Sequence, residues 1–372
     1  MKYLLALLSV CMIVSCQTQT EENVMESPEE LTLLVGTYTA RESEGIYMYK
    51  FNPETGDSRL VNVTKGLNNP SFLALSPNKK NVYAVSEIEG GSVVSLALGD
   101  STLTEINIAS SGGVHPCHIT TDKSGKWVLT GNYSSGSLAV LPILENGGVG
   151  APVQEISHKG KGPNKERQEA PHVHSVNVSP NNMDVFVPDL GIDKVMAYRL
   201  DAATGQLTEG KSMSVSAGSG PRHLTFHPNG KFAYVVQELT GAVTAFKYSD
   251  EGLETIEEVS TLPEDFDGKN SSADIHISPD GKFLYASNRF VDTIAIFSID
   301  KETGKLTELS HHSALGQMPR NFVISPSGKF ILVANQESDN IVIFDRDEVT
   351  GKISPTNKEI KVSMPVCLLF VD

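Results

Sequence analysis

The chain has 372 residues, 39% hydrophobic and 20% charged, the composition of an ordinary soluble protein with enough apolar material for a substantial core. Lys and Arg number 30 against 45 Asp and Glu, and the net charge of −15 disfavours nonspecific binding to nucleic acid or to an anionic membrane face. A few arginines focused in a cleft are compatible with that balance, so a local anion site is not excluded.

In chain order, the first segment is unlike the rest. Lys2 precedes an apolar run from Tyr3 to Val14, too short to span a bilayer and suited to an export signal. Ile13-Val14-Ser15-Cys16 resembles a bacterial lipobox, in which the cysteine is lipidated and becomes the mature N-terminus. The expected organisation is a signal peptide over 1–15, a flexible tether over 16–30 beginning at lipidated Cys16, and one folded domain over 31–372. Such a protein is an exported bacterial lipoprotein, held to a membrane by its N-terminal lipid, with the folded body in the periplasm or at the cell surface. Only Cys117 and Cys367 remain for that body, which is no disulfide scaffold, and no CxxC pair or compact Cys/His cluster supports a structural zinc site.

Leu31 to Tyr38, Gly45 to Phe51 and Leu60 to Thr64 then read as three strands. From Pro70 a unit begins that recurs: an apolar strand, a tight turn, a second alternating strand, a polar bend and a third strand. Further copies start at Pro116, His174, Pro221, Ser272 and Pro319, the clearest being SADIHISPDGKFLYASNRFVDTIAIFSID from Ser272. With turns anchored at Pro77, Lys123, Pro180, Pro228, Pro279 and Pro326, the spacings are 46, 57, 48, 51 and 47, a propeller-blade period. Fourth strands are legible at Leu103 to Ala109, Leu207 to Val215, Leu253 to Val259 and Leu306 to Ser310.

Pro365 to Val371 resembles only the first strand of a copy, the one the N-terminal group lacks. The sequence therefore predicts an all-β, seven-bladed β-propeller whose closing blade is a composite of both chain ends, leaving no open sheet edge. A β-sandwich joined to a second domain is the alternative, but no linker inside 31–372 separates two units. The longest spacing contains the hydrophilic insertion His158 to Glu169, either a solvated loop or a lid beside the channel.

The anchors also allow blades to be compared with one another. Six positions before them stand Ser71, Cys117, His174, Arg222, Ala273 and Arg320, and ten positions after them Glu87, Tyr133, Leu190, Glu238, Arg289 and Gln336. Both sets are expected at one end of the channel, gathering His174, Arg222, Glu238, Arg289 and Arg320. Several inward arginines need carboxylates or an anionic ligand, so a phosphate or carboxylate site is expected. Residues one place before the second set, among them Asn132, Asn288 and Asn335, are expected to face away and support turns.

The Pro-Arg-His-Leu-x-Phe-His-Pro-Asn-Gly-Lys run at 221, with Glu238 after it, Pro-His-Val-His-Ser at 171 and Ser-Asn-Arg at 287 resemble the seven-bladed lactonase family. That family includes bacterial propeller-type 6-phosphogluconolactonases and fungal carboxy-muconate lactonising enzymes, and the likeness spans nearly the whole body. It implies lactone hydrolysis with His174, Arg222, Glu238 and Arg289 as catalytic residues. Arg320, with His172 and His223 of the same motifs, is assigned to binding a small anionic sugar lactone. No cofactor or metal is implied. His174 and Glu238 both remain candidates for the base that activates water, and an exported non-catalytic binding propeller is the alternative function.

Overall fold

The computed structural model describes residues 29–371, so the expected signal peptide, Cys16 and nearly all of the tether lie outside the described residues. Three strands come first, β1 (Leu31–Thr37), β2 (Gly45–Phe51) and β3 (Ser58–Lys65). Blade 1 follows as β4 (Leu73–Leu75), β5 (Asn81–Ser86), β6 (Ser92–Leu98) and β7 (Leu103–Ser110), and blade 2 as β8 (Pro116–Thr121), β9 (Trp127–Asn132), β10 (Ser137–Pro142) and β11 (Gln154–Ser157). Blade 3 has β12 (Asn177–Val178), β13 (Asp184–Asp189), β14 (Lys194–Leu200), β15 (Leu207–Glu209) and β16 (Met213–Ser214). Blade 4 comprises β17 (Pro221–Phe226), β18 (Phe232–Gln237), β19 (Ala242–Ser249) and β20 (Gly252–Ser260), and blade 5 β21 (Ser271–Ile277), β22 (Phe283–Arg289), β23 (Thr293–Ile299) and β24 (Leu306–Ser313). Blade 6 is β25 (Pro319–Ile324), β26 (Phe330–Asn335), β27 (Asn340–Arg346) and β28 (Ile353–Lys361). Last, β29 (Pro365–Val371) pairs antiparallel with β1, from Thr32↔Val371 to Thr37↔Pro365, and completes blade 7 in the order β29-β1-β2-β3.

Each blade is thus an antiparallel meander, and the burial pattern explains its sequence texture. Second strands such as β26 are buried at every position, which is why they read as continuous apolar runs. Fourth strands such as β7 face solvent and keep a polar alternation. One anticipated fourth strand is interrupted. The stretch from Leu207 to Val215 splits into β15 and β16 because Gly210 and Ser212 bond to the backbone of Ala197 and lift the chain between them.

Seven apolar clusters hold the ring together, each shared by two neighbouring blades. One joins Leu33 and Phe51 of blade 7 to Phe330 and Leu332 of blade 6; another joins Leu34 and Met48 of blade 7 to Val82 and Ala84 of blade 1. Hydrophobic burial therefore closes the circle through the composite blade as it does everywhere else. Cys117 in blade 2 and Cys367 in blade 7 are both buried free thiols, with blade 1 between them.

A candidate active site at one mouth of the channel

Antiparallel pairing brings the start of each innermost strand and the end of each second strand to the same rim. In blades 2, 4, 5 and 6 the innermost strand carries a register break there, between Pro116 and His118, Pro221 and Leu224, Ser272 and Ile275, and Pro319 and Asn321. Such bulges re-aim side chains. They carry Cys117, Arg222 with His223, Ala273 with Asp274, and Arg320 towards the axis.

A cavity of about 220 Å³ at this mouth is lined by Glu87, Cys117, Tyr133, Arg167, His174, Glu238, Arg289 and Arg320. Arg222 lies just beneath, on a throat of about 10 Å³ shared with Tyr38, Phe72 and His223, space for about one water. A groove of about 340 Å³ on the outside of blades 1 and 2 is larger, but Glu145 is its one charged lining residue. Chemistry, not volume, singles out the mouth.

Glu238 is the hub and is almost completely buried. Its Oε2 lies 2.9 Å from Arg222 Nε and 3.0 Å from Arg289 Nη2, its Oε1 accepts from Arg167 Nη2 at 2.6 Å, and His174 Nε2 stands 3.8 Å from Oε2. Burial alone raises a carboxyl pKa, but the attraction of Arg289 and Arg222, then His174 and Arg167, outweighs it and holds Glu238 well below the ordinary range. For His174, burial and then Arg222 act together, so the imidazole pKa falls well below 6.5 and the ring is neutral at neutral pH. Between the two candidate bases, the neutral imidazole has the available lone pair; Glu238 is a fixed anion that aims guanidinium groups.

Arg320 is differently placed. Its Nη2 donates to Tyr38 Oη at 2.8 Å, and Tyr38 and Ser71 in turn donate to Glu87 at 3.0 and 2.5 Å. Arg320 makes no direct ion pair among the described residues, so its remaining N–H groups are available to an anion. Burial, then Glu87, pushes the Cys117 thiol far up, which keeps it protonated and unlike an activated nucleophile.

The other two histidines assigned to substrate stand behind the mouth instead. His172 stacks on Tyr133 with ring centroids 4.5 Å apart, and its Nδ1 bonds the Tyr133 carbonyl at 3.1 Å. His223, next to Arg222 on the bulge, points the other way: Nδ1 meets Asp274 Oδ1 at 2.8 Å and Nε2 meets Arg222 Nη1 at 3.1 Å. Arginine can only donate, so His223 Nε2 accepts and Nδ1 carries the proton. His172 positions Tyr133 from behind the lining, whereas His223 lines the throat beneath the mouth and holds Arg222.

Arg167 escaped the sequence reading because it belongs to the insertion and has no counterpart in the repeat. That insertion is no free loop. His158 is tied to Asp189 at 2.6 Å and to Tyr198 at 2.9 Å, and Gln168 bridges Leu190 O and Asp193 at 2.8 and 2.6 Å. Asn164 Oδ1 accepts from the backbone N–H groups of Glu166 and Arg167, completing a turn that extends Arg167 over Glu238. Tyr38 was within reach of the sequence: it follows β1, the second strand of the split blade, just as Glu238 follows β18. Carrying the comparison of blades into blade 7 would have found it. Asn132, Asn288 and Asn335 face away as expected, donating to the carbonyls of Ser111, Thr261 and Ala314 at the ends of the preceding blades.

A propeller whose channel mouth gathers a neutral buried histidine, an ionised glutamate and four arginines has the groups that a hydrolase needs: a proton acceptor and donors for a developing oxyanion. The chain belongs to the family described as lactonase, 7-bladed beta-propeller, whose model matches residues 32–370. It is similar to the 6-phosphogluconolactonase of Bacillus subtilis (strain 168), 39% identical over 294 residues that cover 78% of this chain and 83% of that protein. A solved structure from Bacteroides fragilis NCTC 9343 matches with TM-score 0.89 and 41% identity, covering 93% of this chain and 99% of that one. The periplasmic gluconolactonase of Pseudomonas aeruginosa matches with TM-score 0.89 and 34% identity, covering 92% and 99%. Lactone hydrolysis is the activity that these likenesses support.

Proposed function

We propose that this lactonase hydrolyses a small anionic sugar lactone at the arginine-rich mouth, as an exported lipoprotein. The observation that carries the reading is the pairing of neutral His174 with Glu238 already saturated by guanidinium groups. His174 takes the proton of the attacking water, and the water oxygen bonds to the lactone carbonyl carbon. Arg289 and Arg222 stabilise the resulting oxyanion. As the tetrahedral intermediate collapses, the bond from carbon to ring oxygen breaks and the leaving oxygen takes the proton from His174. The product is a hydroxy acid, released as its carboxylate. Arg320 and Arg167 hold the anionic substituent.

Two relatives frame the substrate. The Bacillus subtilis protein is named for a phosphorylated lactone, and the Pseudomonas aeruginosa protein for an unphosphorylated one met in the periplasm. An expected leader over 1–15, cleaved before Cys16, favours the second environment for this chain, with a sugar or sugar-acid lactone as substrate. Acid release should be measured for phosphorylated, carboxylated and neutral sugar lactones above the spontaneous rate. Catalysed turnover with at least one charged lactone, weakened in KM by Arg320→Gln, is expected. No turnover across the panel would return the protein to a non-catalytic binding role. Independently, Cys16→Ala should move the protein out of the membrane fraction or leave it unprocessed; unchanged fractionation would remove the lipid anchor.

A further inference from the structure

Asp274 takes no part in the chemistry assigned above, but a chain of hydrogen bonds leads from it to Arg222. It stands on the bulge of β21, at the place in its blade that His223 holds on β17 and Asn321 on β25, and all three side chains are buried. Five nitrogens converge on its carboxylate. Oδ1 accepts from the backbone N–H of Ile275 at 3.0 Å and meets His223 Nδ1 at 2.8 Å. Oδ2 accepts from Asn321 Nδ2 at 2.5 Å and from the N–H of Phe322 at 3.2 Å, and meets His276 Nε2 at 3.0 Å. The Asn321 amide is itself oriented from blade 7, because its oxygen accepts from the N–H of Leu368 at 2.7 Å.

The other end of the chain is equally constrained. Arg222 Nη1 meets His223 Nε2 at 3.1 Å, and an arginine only donates, so Nε2 is the acceptor. The neutral ring then keeps its one proton on Nδ1, where Asp274 Oδ1 receives it. In a histidine the partner of one ring nitrogen sets the role of the other. The remaining donors of Arg222 are committed, Nε to Glu238 Oε2 at 2.9 Å and Nη1 again to Ala273 O at 2.5 Å. Nη2 alone has no partner among the described residues, directly beneath the mouth.

We propose that Asp274 is a positioning residue for lactone hydrolysis: by holding the His223 proton on Nδ1 it keeps Nε2 open to Arg222, and so aims Arg222 Nη2 at the oxyanion. This role rests on Arg222 being an oxyanion donor, whereas the tautomer it requires is readable without any substrate.

The test begins with ring ¹⁵N shifts of the full protein labelled in histidine, the His223 signals being assigned by their loss in His223→Gln. Wild type should carry the His223 proton on Nδ1. In Asp274→Asn the new NH₂ meets two donors at the Oδ1 position but three at Oδ2, so it settles at Oδ1 and drives the His223 proton to Nε2, against Arg222. For the best lactone of the panel, kcat should then fall about tenfold to a hundredfold with KM changed less than about threefold. Adding His223→Gln to Asp274→Asn should raise kcat again by about threefold or more, because the Gln oxygen takes the place of Nε2 and accepts from Arg222 whatever stands at 274. A merely structural defect at 274 would not be rescued this way. If Asp274→Asn does not fold, His223→Asn, which keeps a donor for Asp274 and withdraws the acceptor from Arg222, should be about tenfold slower than His223→Gln. A wild-type proton on Nε2, an unchanged tautomer in folded Asp274→Asn, no rescue by His223→Gln, or equal rates for His223→Asn and His223→Gln would each overturn the role of Asp274. Absence of turnover by the wild type would count against lactone hydrolysis itself, and the two tautomers would still decide the link from Asp274 to Arg222.

Discussion

Glu238 meets Arg222, Arg289 and Arg167 at once, and this arrangement divides the labour between the two candidate bases. A carboxylate so strongly held accepts a proton poorly, whereas neutral His174 accepts one readily. Replacing His174 with Gln should lower kcat about 10²- to 10⁴-fold while the protein stays folded. The acid limb of the wild-type kcat/KM profile should lie below 6.5, because the imidazole pKa is depressed by burial and by Arg222. Initial rates against pH, corrected for spontaneous hydrolysis, check both; an acid limb above that value would reassign the base. Stability shares this sensitivity. Burial, then Arg222, pushes His223 down from 6.5 to about 4 against the pull of Asp274. Between those values the unfolded chain binds more protons. Stability is therefore full above 6.5 and lost as pH falls through about 4, by on the order of 3 kcal/mol from this group. Thermal unfolding measured across that window should show the decline, and His223→Gln should flatten it.

The strands themselves were largely readable because their chemistry repeats. In all six intact blades the residue two after the anchor has a left-handed backbone: Lys79, Gly125, Asn182, Gly230, Gly281 and Gly328. Glycine in four copies of one turn and asparagine in a fifth are a strong local signal. A glycine with a left-handed backbone also stands between the third and fourth strands, as Gly351 does between β27 and β28, and it carries tertiary information as well. A Cβ at Gly351 would lie 2.4 Å from the Phe283 ring of blade 5, whereas one at Gly230 would meet nothing within 4 Å. Gly351→Ala should therefore cost about 3 kcal/mol or more, from backbone strain and overpacking together, and Gly230→Ala only about 1 kcal/mol. Denaturant unfolding of the two variants would separate the terms; equal losses would mean that the contact between blades contributes nothing. What the strands did not disclose was the bulge at the start of the innermost strand in blades 2, 4, 5 and 6. Alternation assigns successive residues to opposite faces, and the bulge lets both Arg222 and His223 reach the channel, one up and one down.

On the scale of the whole ring, closure depends on β29 filling the place beside β1. Deleting residues 365–372 would expose the edge of β1 and uncover Phe51 and Leu33 beside Phe330. The truncated chain is expected to unfold at markedly lower temperature and to self-associate through the open edge, as read by thermal melting and size-exclusion chromatography. Unchanged behaviour would show that the ring is held by its other interfaces alone.

Blade number, the composite closure and the end of the channel that collects His174, Glu238, Arg289 and Arg320 followed from the sequence by itself. Each blade solves the same burial problem with the same turn and strand chemistry, so the copies calibrate one another. Tertiary structure alone decided the protonation of His174, the threefold pairing of Glu238, the inward reach of Arg167 and the retreat of His172 and His223 behind the mouth. Those properties arise where residues far apart in the chain exclude water from one another: the energy of a charge depends on everything packed around it, and no local pattern of residues records that surrounding.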